Sequence, residues 1–227
     1  MLFFLDSAKL DEIKKAYELF RIDGITTNPR HIQASGQPFY KVIEDIAKWA
    51  SNTGFKDYKD FPISVEVNPH LNDAKEMVTM AKDIASISKN FVIKLPCIEA
   101  GIQSAHELEE MGIRTNLTLV FSVSQALYAA HAKSLFVSPF VGWKESSGED
   151  TREYIEGIIK AYKAVGAQTK VLVAALRSGS QVAHAFKHGA DAVTCGLAVY
   201  QEAMLHPFTD KGLGIFTNAW DNTNTNK

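Results

Sequence analysis

A lysine stands inside an apolar run, Phe91-Val92-Ile93-Lys94-Leu95-Pro96. An ammonium buried without a partner is costly and tends to give up its proton, and a neutral amine is a nucleophile toward carbonyls. The same lysine could instead carry its charge to water on its apolar stem. Polar residues end most of the other apolar runs: Asp6, Thr26, Thr27, Asn28, Glu66, Asn116, Thr118, Ser138, Arg177 and Thr194. Each has a plainer reading. Asp6 could cap the first helix, Thr26-Thr27-Asn28-Pro29 could be a turn, and Glu66 could pair with a lysine. If they converge around Lys94, the chemistry that fits is imine formation on a ketose. Asp6 would take the proton of the hydroxyl whose carbon–carbon bond breaks, while Glu66 and Thr118 hold a proton-shuttling water. Asn28, Asn116 and Ser138 would bond the hydroxyls of the retained three-carbon unit. A protonated imine is itself an electron sink, so the scheme needs no cofactor and no metal, and the seven histidines are scattered along the chain.

The elements that must position these residues alternate along the chain. Strand candidates are Leu2–Leu5, Gly24–Thr27, Ile63–Val67, Phe91–Leu95, Thr115–Val120, Leu135–Pro139, Val171–Ala175 and Ala192–Cys195. Helical patterns lie between them at Leu10–Phe20, Phe39–Ala50, Ala74–Ser88, Ile102–Met111, Val123–Ala132, Thr151–Val165 and Ser180–His188. Leu10, Ile13, Tyr17 and Phe20 have the spacing of a core-facing helix stripe. Asp73 and Ser124 are candidate helix starts, and Gly112 and Gly189 candidate stops. Eight strand–helix units in 227 residues predict an α/β fold, a single (β/α)8 TIM barrel spanning the chain. A doubly wound sheet carries fewer strands at this length, and no Gly-rich dinucleotide fingerprint follows any strand. Active sites of such barrels form at the carboxyl ends of the strands, where the polar residues above stand. An extra C-terminal helix is expected at about 209–222, its apolar Leu213, Ile215, Phe216 and Trp220 packing on the barrel or on a neighbouring subunit.

Composition narrows the classes. The chain is 46% hydrophobic and 22% charged with a formal net charge of -2, an ordinary globular balance without the basic excess of a nucleic-acid binder. No apolar stretch approaches the roughly 20 residues of a membrane span, and the N-terminus lacks a secretory layout. Two cysteines, Cys97 and Cys195, fit a reducing compartment. A cytoplasmic protein is expected, with neither nucleic acid nor membrane as partner.

Five ordered motifs resemble the transaldolase family, in its small branch that includes the fructose-6-phosphate aldolases. They are Phe4-Leu5-Asp6-Ser7-Ala8, Gly24-Ile25-Thr26-Thr27-Asn28-Pro29, Val92-Ile93-Lys94-Leu95-Pro96, Thr115 to Ser122, and Val137-Ser138-Pro139-Phe140-Val141-Gly142. The resemblance implies a class I aldolase-type barrel with Lys94 as Schiff-base residue and Asp6 as acid/base. It also implies that Glu66 and Thr118 hold the catalytic water. Pure aldolases of this branch tend to carry glutamine where Glu66 stands, so the glutamate points to group transfer. Small members commonly form pentamers or pairs of pentamers with exchanged C-terminal helices, so a homo-oligomer, pentamer or decamer, is expected.

The chain departs from the phosphosugar pattern. Trp143 follows Ser-Pro-Phe-Val-Gly where arginine is usual, Ala175 stands where a serine two residues before Arg177 is common, and Arg30-His31 follow Asn28-Pro29. A phosphate monoester carries close to two charges and rewards bidentate arginines, so these exchanges favour an anion of lower charge. A sulfonate fits, held by Arg30, Arg177 and the Trp143 indole, with Thr27 and His31 also at the substrate. Thr27-Asn28-Pro29-Arg30-His31, Val141-Gly142-Trp143-Lys144-Glu145 and Val193-Thr194-Cys195-Gly196 resemble the sulfofructose transaldolases of sulfoglycolysis. That resemblance implies transfer of a dihydroxyacetone unit from 6-deoxy-6-sulfofructose to glyceraldehyde 3-phosphate or erythrose 4-phosphate, with release of sulfolactaldehyde. A fructose-6-phosphate transaldolase or aldolase with the same lysine, and a non-catalytic barrel, are the competing expectations.

Overall fold

Strands of three to seven residues alternate their side chains between two faces, and in this chain both faces are buried. The computed structural model describes residues 1–224. Its strands are β1 (Leu2–Asp6), β2 (Gly24–Thr26), β3 (Ile63–Glu66), β4 (Phe91–Pro96), β5 (Thr115–Val120), β6 (Phe136–Pro139), β7 (Lys170–Leu176) and β8 (Ala192–Cys195). They pair in parallel, each with its sequence neighbours, and β8 closes on β1. This is the expected (β/α)8 barrel.

One set of alternating positions, including Ile25, Ile63, Val65, Ile93, Leu95, Leu117, Val137, Val173 and Val193, belongs to the main core shared with the surrounding helices. The other set fills the barrel. Phe4, Val92, Phe136, Leu172 and Ala192 form a separate apolar cluster, with the Phe4 and Phe136 rings edge-on at 5.5 Å. Gly24 makes room for it, because a Cβ there would lie 2.4 Å from the Phe4 ring. Two residues further along the same strands the interior turns polar: Phe4 gives way to Asp6, Val92 to Lys94 and Ala192 to Thr194. The strand period of two therefore stacks the chemistry on an apolar plug.

The helices are α1 (Leu10–Phe20), α2 (Pro29–Ser35), α3 (Phe39–Thr53), α4 (Ala74–Ile87), α5 (Glu99–Glu110), α6 (Val123–His131), α7 (Val141–Ser146), α8 (Arg152–Val165), α9 (Gly179–Lys187), α10 (Leu197–Ala203) and α11 (Pro207–Asp221). Asp73 caps α4 as expected, accepting from Lys75 and Glu76 N–H groups. Gly112 and Gly189 take positive φ just beyond α5 and α9. The cap of α6 is Ser122, not Ser124: its hydroxyl accepts from Gln125 N, two residues earlier than expected. Asp6 is not a cap, since α1 starts after Lys9. The segment expected as a turn at Thr26–Pro29 leads directly into α2, with Asn28 as side-chain cap and Pro29 at the first helical position.

Two strands are irregular. The β5–β6 register shifts between Leu117 and Val120, and the β7–β8 register between Val173 and Leu176. Leu119 and Ala175 take φ of 55° and 59° at these bulges, a left-handed conformation uncommon for residues other than glycine. Helix α11 begins at Pro207, two residues before the expected start. Its Phe208, Leu213, Ile215, Phe216 and Trp220 are all exposed. Among the described residues no helix is long and apolar enough to cross a membrane.

Candidate active site

At the carboxyl ends of the strands a cavity of about 550 Å³ opens, walled by residues of all eight strands together with α2 and α7. Lys94 lies at its base, 4% exposed. Its Nζ is 2.9 Å from Glu66 Oε2 and donates to the Thr27 carbonyl at 3.1 Å. The lysine is therefore paired, contrary to the isolated amine that its apolar run implied. The parallel register that sets Glu66 opposite Lys94 makes the pairing a direct consequence of strand alignment. A buried pair of this kind holds its geometry because either partner alone would be strongly disfavoured.

Asp6 stands on the neighbouring wall. Its Oδ1 accepts from the Thr26 hydroxyl at 2.8 Å, and Thr26 in turn meets the Thr194 hydroxyl at 2.6 Å. Its Oδ2 lies 3.1 Å from His31 Nε2. Burial alone would raise the Asp6 carboxyl. The His31 hydrogen bond and charge, then the Lys94 charge and the Thr26 hydroxyl, outweigh it and hold Asp6 below the ordinary carboxylate value.

The cavity also holds cationic and aromatic groups. Arg30 and Arg177 both line it, and among the described residues neither guanidinium forms an ion pair. Trp143 is 46% exposed there, packed edge-on against Phe140 at 5.5 Å and tilted against Phe121 at 5.9 Å. The backbone beneath Arg177 is fastened by a relay. Arg177 N–H donates to Gln181 Oε1 at 2.5 Å, Gln181 Nε2 donates to Glu145 Oε2 at 2.5 Å, and Thr151 Oγ1 donates to Glu145 Oε1 at 2.6 Å. Gly142 packs beneath: a Cβ there would lie 2.1 Å from the Ala175 carbonyl and 3.3 Å from Arg177 Nε.

Of the residues the sequence marked out, Asp6, Asn28, Arg30, His31, Glu66, Lys94, Ser138, Trp143 and Arg177 share this cavity. Three sit behind its wall. Thr27 turns its hydroxyl to the Ser64 carbonyl at 2.9 Å and offers Lys94 only its backbone oxygen. Asn116 is fully buried between Ser64, to which it donates at 3.1 Å, and Ser138, from which it accepts at 2.8 Å. Thr118 is fully buried, and its hydroxyl has no hydrogen-bond partner among the described residues. Its neighbour Leu119, at the β5 bulge with φ of 55°, lines the cavity instead. Asn28 spends its side-chain oxygen on the His31 N–H. Ser64, Gln181 and Glu145 were not singled out by sequence. They act through hydrogen bonds across the fold, which leave no mark at short spacing. Among the described residues no group of three or more His, Cys, Asp and Glu side chains is arranged to hold a metal ion.

The family model described as Transaldolase/Fructose-6-phosphate aldolase matches residues 3–226. The chain belongs to that family. It is 56% identical over 225 residues to a 6-deoxy-6-sulfo-D-fructose transaldolase of Priestia aryabhattai, covering 99% of this chain and 97% of that protein. A protein of the same name from Priestia megaterium (strain ATCC 12872 / QMB1551) matches at the same identity and coverage. A probable transaldolase of Desulfatibacillum aliphaticivorans is 42% identical over 95% of this chain and 96% of its own length.

Proposed function

We propose that this chain is a Schiff-base transaldolase that moves a dihydroxyacetone unit from 6-deoxy-6-sulfofructose to glyceraldehyde 3-phosphate or erythrose 4-phosphate and releases sulfolactaldehyde. The observation that carries the chemistry is Lys94, buried at the base of the cavity with Glu66 at 2.9 Å. Glu66 takes the proton that Lys94 sheds as its amine attacks the ketose carbonyl, and returns one to the departing oxygen as water leaves. Of the expected water-holding pair only Glu66 lines the cavity; the Thr118 hydroxyl, unpartnered among the described residues, is buried behind its wall. With the iminium formed, Asp6 withdraws the proton of the C4 hydroxyl. The C3–C4 electron pair moves onto the imine as an enamine, and the aldehyde leaves. The enamine then attacks the acceptor aldehyde and the steps reverse. Ser138 and Asn28 line the path of the sugar hydroxyls, and Asn116 orients Ser138.

The sulfonate preference rests on the cationic and aromatic groups. Arg30, Arg177 and the Trp143 indole N–H suit an anion with one charge and three acceptor oxygens, and relatives sharing 56% of the sequence carry the sulfofructose name. A fructose-6-phosphate transaldolase or aldolase is the competing reading, because two guanidinium groups without an ion pair among the described residues would also receive a phosphate. Borohydride trapping with sulfofructose should add a three-carbon fragment to Lys94, and Lys94→Ala should abolish it. The ratio of kcat/KM for sulfofructose to that for fructose 6-phosphate should favour the sulfonate, and Trp143→Arg should shift it toward phosphate. A wild-type preference for phosphate sinks the sulfonate assignment while leaving the lysine chemistry intact.

This reading includes a cytoplasmic homo-oligomer, a pentamer or decamer, in which α11 lies on a neighbouring subunit. The exposed Phe208, Phe216 and Trp220 support it, since several large apolar side chains left uncovered on one helix suit an interface. Light scattering on Phe216→Asp/Trp220→Asp should report a smaller particle than the wild type; an unchanged mass counts against a role for α11.

A further inference from the structure

The first turn of α2 aims a histidine at the acid/base carboxylate. Pro29 presets the turn, and Asn28 Oδ1 accepts from the His31 N–H at 3.0 Å. The imidazole thereby reaches Asp6, with Nε2 3.1 Å from Oδ2, while Thr26 occupies Oδ1. Both side chains stay at the cavity surface, 32% exposed for His31 and 21% for Asp6. His31 is thus engaged with a protein carboxylate, not held free for a substrate hydroxyl.

We propose that Asp6 and His31 work as one acid–base pair, with His31 the positioning partner that decides when Asp6 can accept the donor's hydroxyl proton. The proposal rests on the Schiff-base reading above and adds a second group to its proton-transfer step. In that step the C4 hydroxyl proton passes to Asp6, the O–H electron pair becomes part of the new carbonyl, and the C3–C4 pair moves to the iminium. The pair gains one proton, and it returns that proton to the new hydroxyl when the acceptor adds. No other reactant is required.

The protonation of His31 sets the strength of this base. A neutral imidazole donates Nε2–H to Oδ2 and leaves Asp6 able to take a proton. An imidazolium in the same place stabilises the carboxylate by charge and makes it a poorer acceptor. Other charged groups flank or face the pair. Lys94 on β4 is bound to Glu66 on β3, and Lys41 on the adjacent α3 is bound to Asp45. Glu12 on α1 accepts from Ser7, while Arg30 and Arg177 line the cavity. Turnover must therefore fall once the His31 imidazole takes up a proton.

His31→Gln keeps a hydrogen-bond donor but cannot titrate, and His31→Asn is too short to keep the contact. The test is kcat for sulfofructose cleavage from acid to mildly alkaline pH in wild type and both variants, with borohydride trapping at Lys94 in parallel. Trapping should persist in all three proteins, kcat at neutral pH should fall by about tenfold or more in the variants, and the imidazole limb should disappear. An acid limb that keeps its position in His31→Gln or His31→Asn overturns the proposal. So does trapping lost in both variants but kept in wild type, which would move His31 to an earlier step. Absence of trapping in wild type overturns the Schiff-base reading instead.

Discussion

The Lys94–Glu66 pair can be weighed by removing its charges one at a time and together. The charged atoms are 2.9 Å apart and the side chains 5% and 9% exposed. At an effective dielectric near 20, their attraction is about 6 kcal/mol, offset by the cost of taking both ions out of water. Glu66→Gln leaves the Lys94 ammonium with the Thr27 carbonyl alone, and Lys94→Met leaves a buried carboxylate. Each should cost roughly 3–5 kcal/mol. The double variant contains neither ion and should cost far less than the sum, giving a coupling of about 3 kcal/mol or more. The assay is urea unfolding of the four proteins at pH 7 and one fixed protein concentration, with m-values checked for constancy. Coupling below about 0.5 kcal/mol would refute the reasoning. The two groups would then be independent, and Glu66 could not be the base that releases the amine.

Three further expectations follow from the cavity and its surroundings. Gly142→Ala must push its methyl away from the Ala175 carbonyl, 2.1 Å distant, so we expect roughly 1–3 kcal/mol of destabilisation and a raised KM for the anionic donor. Wild-type values for both would contradict the close approach. The Asp6 carboxyl is depressed in the folded protein, so its contribution to stability is present above the unfolded value near 4 and is lost as pH falls through the lower folded value. The stability gap between wild type and Asp6→Asn should narrow on acidification below about pH 4; a gap constant from pH 7 to 3 would refute that assignment. Burial pushes the Cys195 thiol up to about 12 and leaves the side chain 1% exposed. Alkylation of Cys195 at pH 8 should therefore proceed only at the rate of unfolding, and fast labelling of the native protein would show otherwise.

Much of the site was legible because barrel strands impose a simple rule. A polar residue closing an apolar run must stand at the rim, and Asp6, Glu66, Lys94 and Ser138 obey it. Residues whose position depends on a departure from ideal strand geometry were not legible. Leu119 and Ala175 adopt positive φ without being the glycine or asparagine that would advertise it, so the displacement of Thr118 behind the wall left no trace in the sequence. Helix α2 carries a signal in Asn28-Pro29, but seven residues are too few to show a helical period. Asn116 was assigned to substrate, whereas its bonds run to Ser64, fifty-two positions away in sequence, and to Ser138. A partner at that separation becomes visible only when the barrel closes.

The two bulges divide the rim into a regular and an irregular half. From β3 through β4 the ladder runs without interruption and holds Glu66 beside Lys94. In β5 and β7 the ladder breaks just before the rim, and the β5 break is secured by Val120, whose carbonyl accepts both the Phe140 N–H at 3.0 Å and the Tyr154 hydroxyl at 2.6 Å. Arg177 hangs beyond the β7 break, and Trp143 packs on Phe121 just past the β5 break. Replacements there can change which anion the cavity admits without transmitting a register error to the lysine. The barrel is built as a fixed reactor with an interchangeable socket, and new substrates for this scaffold should be sought by altering the socket alone.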